Sequence, residues 1–191
     1  MRPHECIELA TQLLHDFNQA TNVPTPDSQH SDNKWAAPAE DWVKINFDAA
    51  VNADGSGAGL GSVARDYHGR CLAWKSSFHN FVRGAEHGEA LAARQAVEMC
   101  VLNAWDRCII EGNCALIIKK LNSKNLDLSS VSSLIYDILC MCPANKTIRF
   151  SWVCRTTNNV AHLLARSTSF SHEGTSSPQI MLDTLRADAL G

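Results

Sequence analysis

Hydrophobic and polar residues alternate strictly at one place early in the chain. In WVKINFDAAV, residues 42–51, Val43, Ile45 and Phe47 are interleaved with Lys44, Asn46 and Asp48. A period of two is that of a β-strand, whose successive side chains point to opposite faces. Two further apolar stretches follow, GAGLGSVARD and GRCLAWKSSF, joined by Tyr67 and His68 ahead of Gly69 in a hairpin signal. The period then changes. AEHGEALAARQAVEMCVLNA, residues 85–104, is rich in strong helix formers and has no proline. RCIIEG reads as a fourth strand running into the helix CALIIKKLN, and a helix from Ser130 to Cys142 stops at Pro143. TIRFSWV is a fifth strand and NVAHLLARSTSF a last helix. The order β-β-β-α-β-α-α-β-α predicts an antiparallel meander followed by parallel additions. The expected fold is therefore α/β, with one five-stranded mixed sheet flanked by helices.

That domain spans residues 42–170, with Asp48 ending the first strand. Before it, residues 21–41 concentrate Pro, Ser, Asn and Asp without periodicity and read as a linker. Residues 1–20 form a helical extension, with Ile7, Ala10, Leu13, Leu14 and Phe17 on one side. Residues 171–191 form a Ser-rich tail with a short helix from Ile180 to Leu190.

Composition narrows the function more than the fold. Hydrophobic residues make up 45% and charged residues 19% of 191, enough apolar content for a substantial core. No apolar run approaches the roughly 18 residues needed to span a bilayer, so no membrane role is expected. A net charge of −3 argues against holding nucleic acid through bulk positive charge, though not against a local basic strip. The opening MRPHECIELATQLLHDF lacks the layout of a secretion signal. Eight cysteines are scattered with no CxxC pair, so most are expected to be buried thiols in a reducing nuclear or cytoplasmic setting.

Three polar residues fall where chemistry is plausible. On a helical wheel Ala92, Ala93, Ala96, Val97 and Cys100 lie on the side of Glu89, while Arg94, Gln95 and Glu98 lie opposite. Glu89 is then a carboxylate on the face that meets the sheet, which is costly without a cation or donors. Two readings stand: a functional acid, or a first-turn anion favoured by the helix dipole. Asp48 sits on the opposite face of its strand from Val43, Ile45 and Phe47. Asn113 follows the fourth strand and precedes a helix. Oxygen ligands converging at one side of a sheet are what a hard divalent ion requires.

WVKINFDAAV, GLGSVARDYHGR, GEALAARQAV, IIEGNCALIIKKL and RTTNNVAHLLARS, in that order over residues 42–170, resemble the ribonuclease H-like domain of plants. That domain is related to the ribonuclease H portion of non-LTR retroelement polyproteins. The resemblance implies a five-stranded mixed sheet with flanking helices, as the periodicity does independently. It also implies hydrolysis of RNA in RNA–DNA hybrids with two Mg²⁺ (or Mn²⁺) ions. By motif, Asp48 matches the metal-bridging aspartate, Glu89 the helix glutamate, and His162 the last position, where plant relatives carry His or Asp. On its own helix His162 lies near Asn159 and Arg166, so a surface histidine remains an equal reading. Asn113 departs from the pattern: EGNC stands where active relatives have EGDS or ETDS.

Asparagine keeps the oxygen and loses the charge. A unit charge opposing a unit cation at about 4 Å is worth on the order of 4 kcal/mol at an effective dielectric of 20. Weakened metal binding and a rate loss of about a thousandfold or more are expected. The fold is not expected to suffer, because Asn and Asp are about equal as helix N-caps. Binding to RNA–DNA hybrid or other nucleic acid can outlive cleavage, with Arg155, Asn159 and Lys119 as candidate sugar–phosphate contacts. The alternative to a hydrolase is thus a non-catalytic nucleic-acid-binding or protein-interaction module derived from a retroelement.

Overall fold

The structure is a computed structural model and describes residues 34–123, 129–167 and 172–174. The helix expected before residue 21, the first part of the linker and the helix expected over 180–190 lie outside the described residues. β1 (Val43–Val51), β2 (Gly57–Arg65) and β3 (Cys71–Asn80) form the antiparallel meander. β4 (Arg107–Gly112) adds in parallel to β1, and β5 (Thr147–Trp152) in parallel to β4. A three-residue β6 (His172–Gly174), in the segment read as tail, pairs antiparallel with β3. The sheet order is β5-β4-β1-β2-β3-β6, the expected five strands plus this addition.

The turns follow from local chemistry. Gly69 has φ +76°, and the Asp66 side chain accepts from the His68 and Arg70 N–H groups, both at 2.9 Å, closing the β2–β3 hairpin. That is the Asx-type turn such residues favour.

Helices α1 (Ala85–Leu102), α2 (Ala115–Ser123) and α3 (Ser132–Met141) share one core with the sheet face carrying Ile45, Phe47, Leu60 and Ile110. Helix α4 (Asn159–Arg166), preceded by a 3-10 turn over Arg155–Asn158, covers the other face. Its Val160, Ala161 and Leu164 pack with Val63. The approach is close because β2 has Gly61 there: a Cβ at that position would lie 2.3 Å from the Ala161 carbonyl oxygen.

Covering both faces buries the polar row of β1 as well, and Lys44, Asn46 and Asp48 are all inaccessible. Each is satisfied. Lys44 pairs with Glu111 at 3.0 Å, Asn46 donates to Glu111 at 3.2 Å, and Arg65 donates to Asn46 at 3.0 Å. Trp35, within the segment read as linker, donates to Asn46 at 3.0 Å and stacks on the Arg65 guanidinium at 3.6 Å. The linker's last residues are therefore part of this body.

Three expectations need correction. Asp48 lies within β1, which continues to Val51, rather than ending it. Gln95 is buried and donates to Ser62 and to the Lys75 carbonyl, because the sheet beneath α1 offers polar partners on β2 and β3 and so buries a wider arc of the helix than its apolar face alone. Of the described cysteines, all free thiols, only Cys100 and Cys108 are fully buried. Cys71, Cys114, Cys142 and Cys154 are half-buried and Cys140 is exposed.

Candidate active site

Parallel pairing of β1 with β4 brings two of the candidates together. Phe47 and Gly112 are the last registered pair, so Asp48 and Asn113 leave the ladder side by side at the same end. Gly112 is required there, since a Cβ would lie 2.4 Å from the Phe47 ring. Glu89 arrives from the start of α1 and His162 from α4 in the opposite layer. The His162 Nδ1 lies 2.6 Å from Asp48 Oδ2.

The Glu89 carboxyl lies against that of Asp48, and its Oε2 is buried with no hydrogen-bond partner. Two anions cannot share such a space cheaply. Burial first, and then the Asp48 carboxylate, push Glu89 up to about 8. Asp48 is also raised by burial, opposed by the hydrogen bond from His162, the Ala49 N–H and the charge of Arg155. Near neutral pH the pair thus carries a proton on Glu89.

The tautomer of His162 follows from its second contact. Its Nε2 lies 3.1 Å from Arg155 Nη2. A guanidinium only donates, so Nε2 accepts and the ring proton is on Nδ1, donated to Asp48. Both ring nitrogens are then engaged.

Asn113 does not cap α2. The strand ends at Gly112, whose carbonyl accepts from Val153 N–H at 3.1 Å, and the helix begins only after Cys114. The Cys114 carbonyl takes the first helical bond, from Ile118 at 3.1 Å, and the Leu116 and Ile117 N–H groups reach its thiol. Asn113 Oδ1 instead accepts from Asn158 Nδ2 at 3.0 Å.

Sequence reasoning missed Asn158. Fully buried at the end of the 3-10 turn, it also donates to the Phe47 carbonyl at 2.8 Å, while its Oδ1 is buried without a partner. One amide thereby ties the residue before Asp48 to Asn113 and to the helix bearing His162. The doubled asparagine of RTTNNVAH was the available signal, because a helix start needs only one capping side chain, and Asn158 makes no cap bond.

Asp48, Glu89, Asn113 and His162 are brought together, and Arg155, an exposed residue, joins them through His162. Asn159 and Lys119 are exposed on α4 and α2, and no described contact links either to the four. Trp152, at the end of β5, donates from Nε1 to the Asn113 carbonyl at 3.1 Å.

Among the described residues no three His, Cys, Asp or Glu side chains form a group able to hold a metal ion. The donor set does fit a single hard divalent ion. Mg²⁺ is commonly held by one or two carboxylates plus substrate phosphates. Asp48 and Glu89 supply the carboxylates, and the unpartnered Glu89 oxygen has nothing else to bind.

A family model described as reverse transcriptase-like matches residues 46–168. No curated protein sequence matches the chain. Among solved structures the chain is similar to the RNase H1 of the halophilic archaeon Halobacterium salinarum NRC-1, at 21% identity over 65% of this chain and 95% of that one, TM-score 0.56. It is also similar to the N-terminal RNase H domain of a Mycobacterium tuberculosis protein, solved as a maltose-binding protein fusion, at 16% identity over 78% and 96%, TM-score 0.59. A third is LC11-RNase H1 in complex with an RNA/DNA hybrid, at 18% identity over 66% and 95%, TM-score 0.59. At these identities the likeness establishes the fold: a mixed α/β sheet of the RNase H kind.

Proposed function

The chain belongs to the reverse transcriptase-like family, and from that premise we propose that it is a nucleic-acid-binding domain of the plant, retroelement-derived ribonuclease H type. It acts inside the cell, in nucleus or cytoplasm, on RNA–DNA hybrids. Its inherited reaction is hydrolysis of the RNA strand, weakened by Asn113. The observation that carries this reading is the Asp48–Glu89 pair, a buried carboxyl facing a half-buried one whose Oε2 is buried and unpartnered.

Asp48 and Glu89 would hold Mg²⁺ or Mn²⁺. When bound, such an ion activates water and neutralises charge on the reacting phosphodiester. The chain's own residues prepare the rest. His162 and the Ala49 N–H orient Asp48 by hydrogen bonding. Burial of Asp48 and partial burial of Glu89 strengthen their hold on a cation. Arg155, exposed beside His162, is placed to meet a backbone phosphate. Asn113 contributes an oxygen without charge, already shared with the Asn158 amide. A second ion has no further carboxylate to draw on among the described residues, since His162 spends both nitrogens.

That shortage favours a second reading, a module that binds hybrids without cutting them. Cleavage of a labelled hybrid in Mg²⁺ and in Mn²⁺, with binding followed against salt, separates the two. Cleavage abolished by Asp48→Ala supports the hydrolase. Salt-sensitive binding with no cleavage supports the module. Absence of binding even at low salt refutes both.

A further inference from the structure

Trp152 is hard to explain as a core residue. It ends β5, the edge strand of the sheet among the described residues, and 54% of it is exposed. A tryptophan used only for packing would bury its ring, the largest apolar side-chain surface available. Yet it is fixed in place. Its Nε1–H donates to the Asn113 carbonyl at 3.1 Å, and the next residue's N–H bonds the Gly112 carbonyl at 3.1 Å. The indole is thus an open aromatic face of set orientation, clamped to the backbone of a site residue. Three residues on, the exposed Arg155 guanidinium supplies a cation for phosphate.

We propose that Trp152 is a stacking platform for an unpaired nucleobase next to the carboxylate site. This rests on the nucleic-acid reading above and specifies which part of the ligand is held. A base inside a duplex has both faces covered by its neighbours, so only an unpaired or terminal base can offer one. Stacking on an aromatic ring is tolerant of sequence, because every base has a π-face. A ring already held by its N–H loses little freedom on binding, so the contact is preorganised. The ligand is therefore a hybrid with a single-stranded extension, its backbone phosphate on Arg155 and its first unpaired base on Trp152.

The test uses the full chain and three fluorescent probes: a blunt RNA–DNA hybrid, the same hybrid with a single-stranded extension on either strand, and the single strand alone. Anisotropy titrations are expected to show the extended hybrid binding about tenfold or more tighter than the blunt one. Trp152→Ala is expected to erase that gain while leaving blunt-hybrid affinity and the salt slope in place. Trp152→Phe keeps an aromatic face and the local packing, so it is expected to retain part of the gain and guards against a folding artefact. Arg155→Ala is expected to reduce the slope of log affinity against log salt by about one contact's worth. If the native chain binds the blunt hybrid but gains nothing from an extension, or Trp152→Ala keeps the gain, the platform is refuted and the nucleic-acid reading survives. If the native chain binds none of the probes, both fall.

Discussion

Restoring the missing charge with Asn113→Asp tests the site most directly. In register, position 113 is beside Asp48 on the neighbouring parallel strand, roughly 5 Å away by ordinary strand spacing. Without a cation, a new anion there repels Asp48 by about 3 kcal/mol at an effective dielectric of 20, and less after solvent screening at this half-buried position. The Asn158 amide returns part of this, since its hydrogen bond would become charge-assisted. A net apo-state loss of about 2 kcal/mol, or roughly 4–8 °C in Tm for a domain of this size, is expected. With a divalent ion the sign reverses. A double positive charge about 4 Å from the added carboxylate gains on the order of 8 kcal/mol before desolvation, of which a fraction survives. We expect Mg²⁺ or Mn²⁺ affinity to rise at least about a hundredfold, near 2.7 kcal/mol. Calorimetric melting in chelator and in millimolar Mg²⁺, with Mn²⁺ titration followed by paramagnetic resonance, reads both effects without any cleavage assay. A variant whose Tm drops equally with and without metal, or whose Mn²⁺ affinity is unchanged, would refute the placement of position 113 in a metal site.

Glu89 sets the pH dependence of the metal-free protein. Its folded value of about 8 lies above its ordinary 4.5, so folded and unfolded forms are both protonated below that range and contribute no difference. Between the two values only the unfolded form has ionised. Stability there falls by up to about 1.4 kcal/mol per pH unit and levels off above about 8. Glu89→Gln should flatten this fall in chelator, and an identical slope in the variant would sink the assignment. Asn158→Ala removes both amide bonds and strands the Phe47 carbonyl; a loss of about 1–3 kcal/mol by urea unfolding is expected, and a neutral result would contradict its role. Gly61→Ala places a methyl against the α4 backbone, so it should destabilise the fold and shift the His162 ring resonances; native-like stability and spectra would show that α4 has more room than its close seat implies.

Much of the fold was legible because it is carried by local patterns. The alternation around Ile45 and Phe47, the hairpin at Gly69 and the alanine-rich α1 each fix one element through a few neighbouring residues. Glu89 stood out because a carboxyl on an apolar helix face is expensive wherever the chain goes, whereas Asp48, on the polar face of its strand, stood out by the family motif. What escaped depends on distant partners. The bond from Asn158 to Phe47 spans 111 positions, and no periodicity announces it. Gln95 turned inward because Ser62 and the Lys75 carbonyl wait beneath its helix, partners that no wheel drawn for one helix includes. Asn113 and Cys114 differ by one position as the helix start, a boundary set by pairing to Val153 rather than by propensity. Trp35 looked like linker because its neighbours are loop-forming residues, and its partners, Arg65 and Asn46, belong to the sheet. β6 is too short to show any alternation.

Asn158 and His162 also impose an order in time. Both reach back more than a hundred positions to β1. On a ribosome the two carboxyl-bearing segments emerge long before the helix that clamps them. A nascent chain halted before residue 158 therefore has β1 to β5 and both acids but no latch, and its Asp48 is not yet oriented by His162.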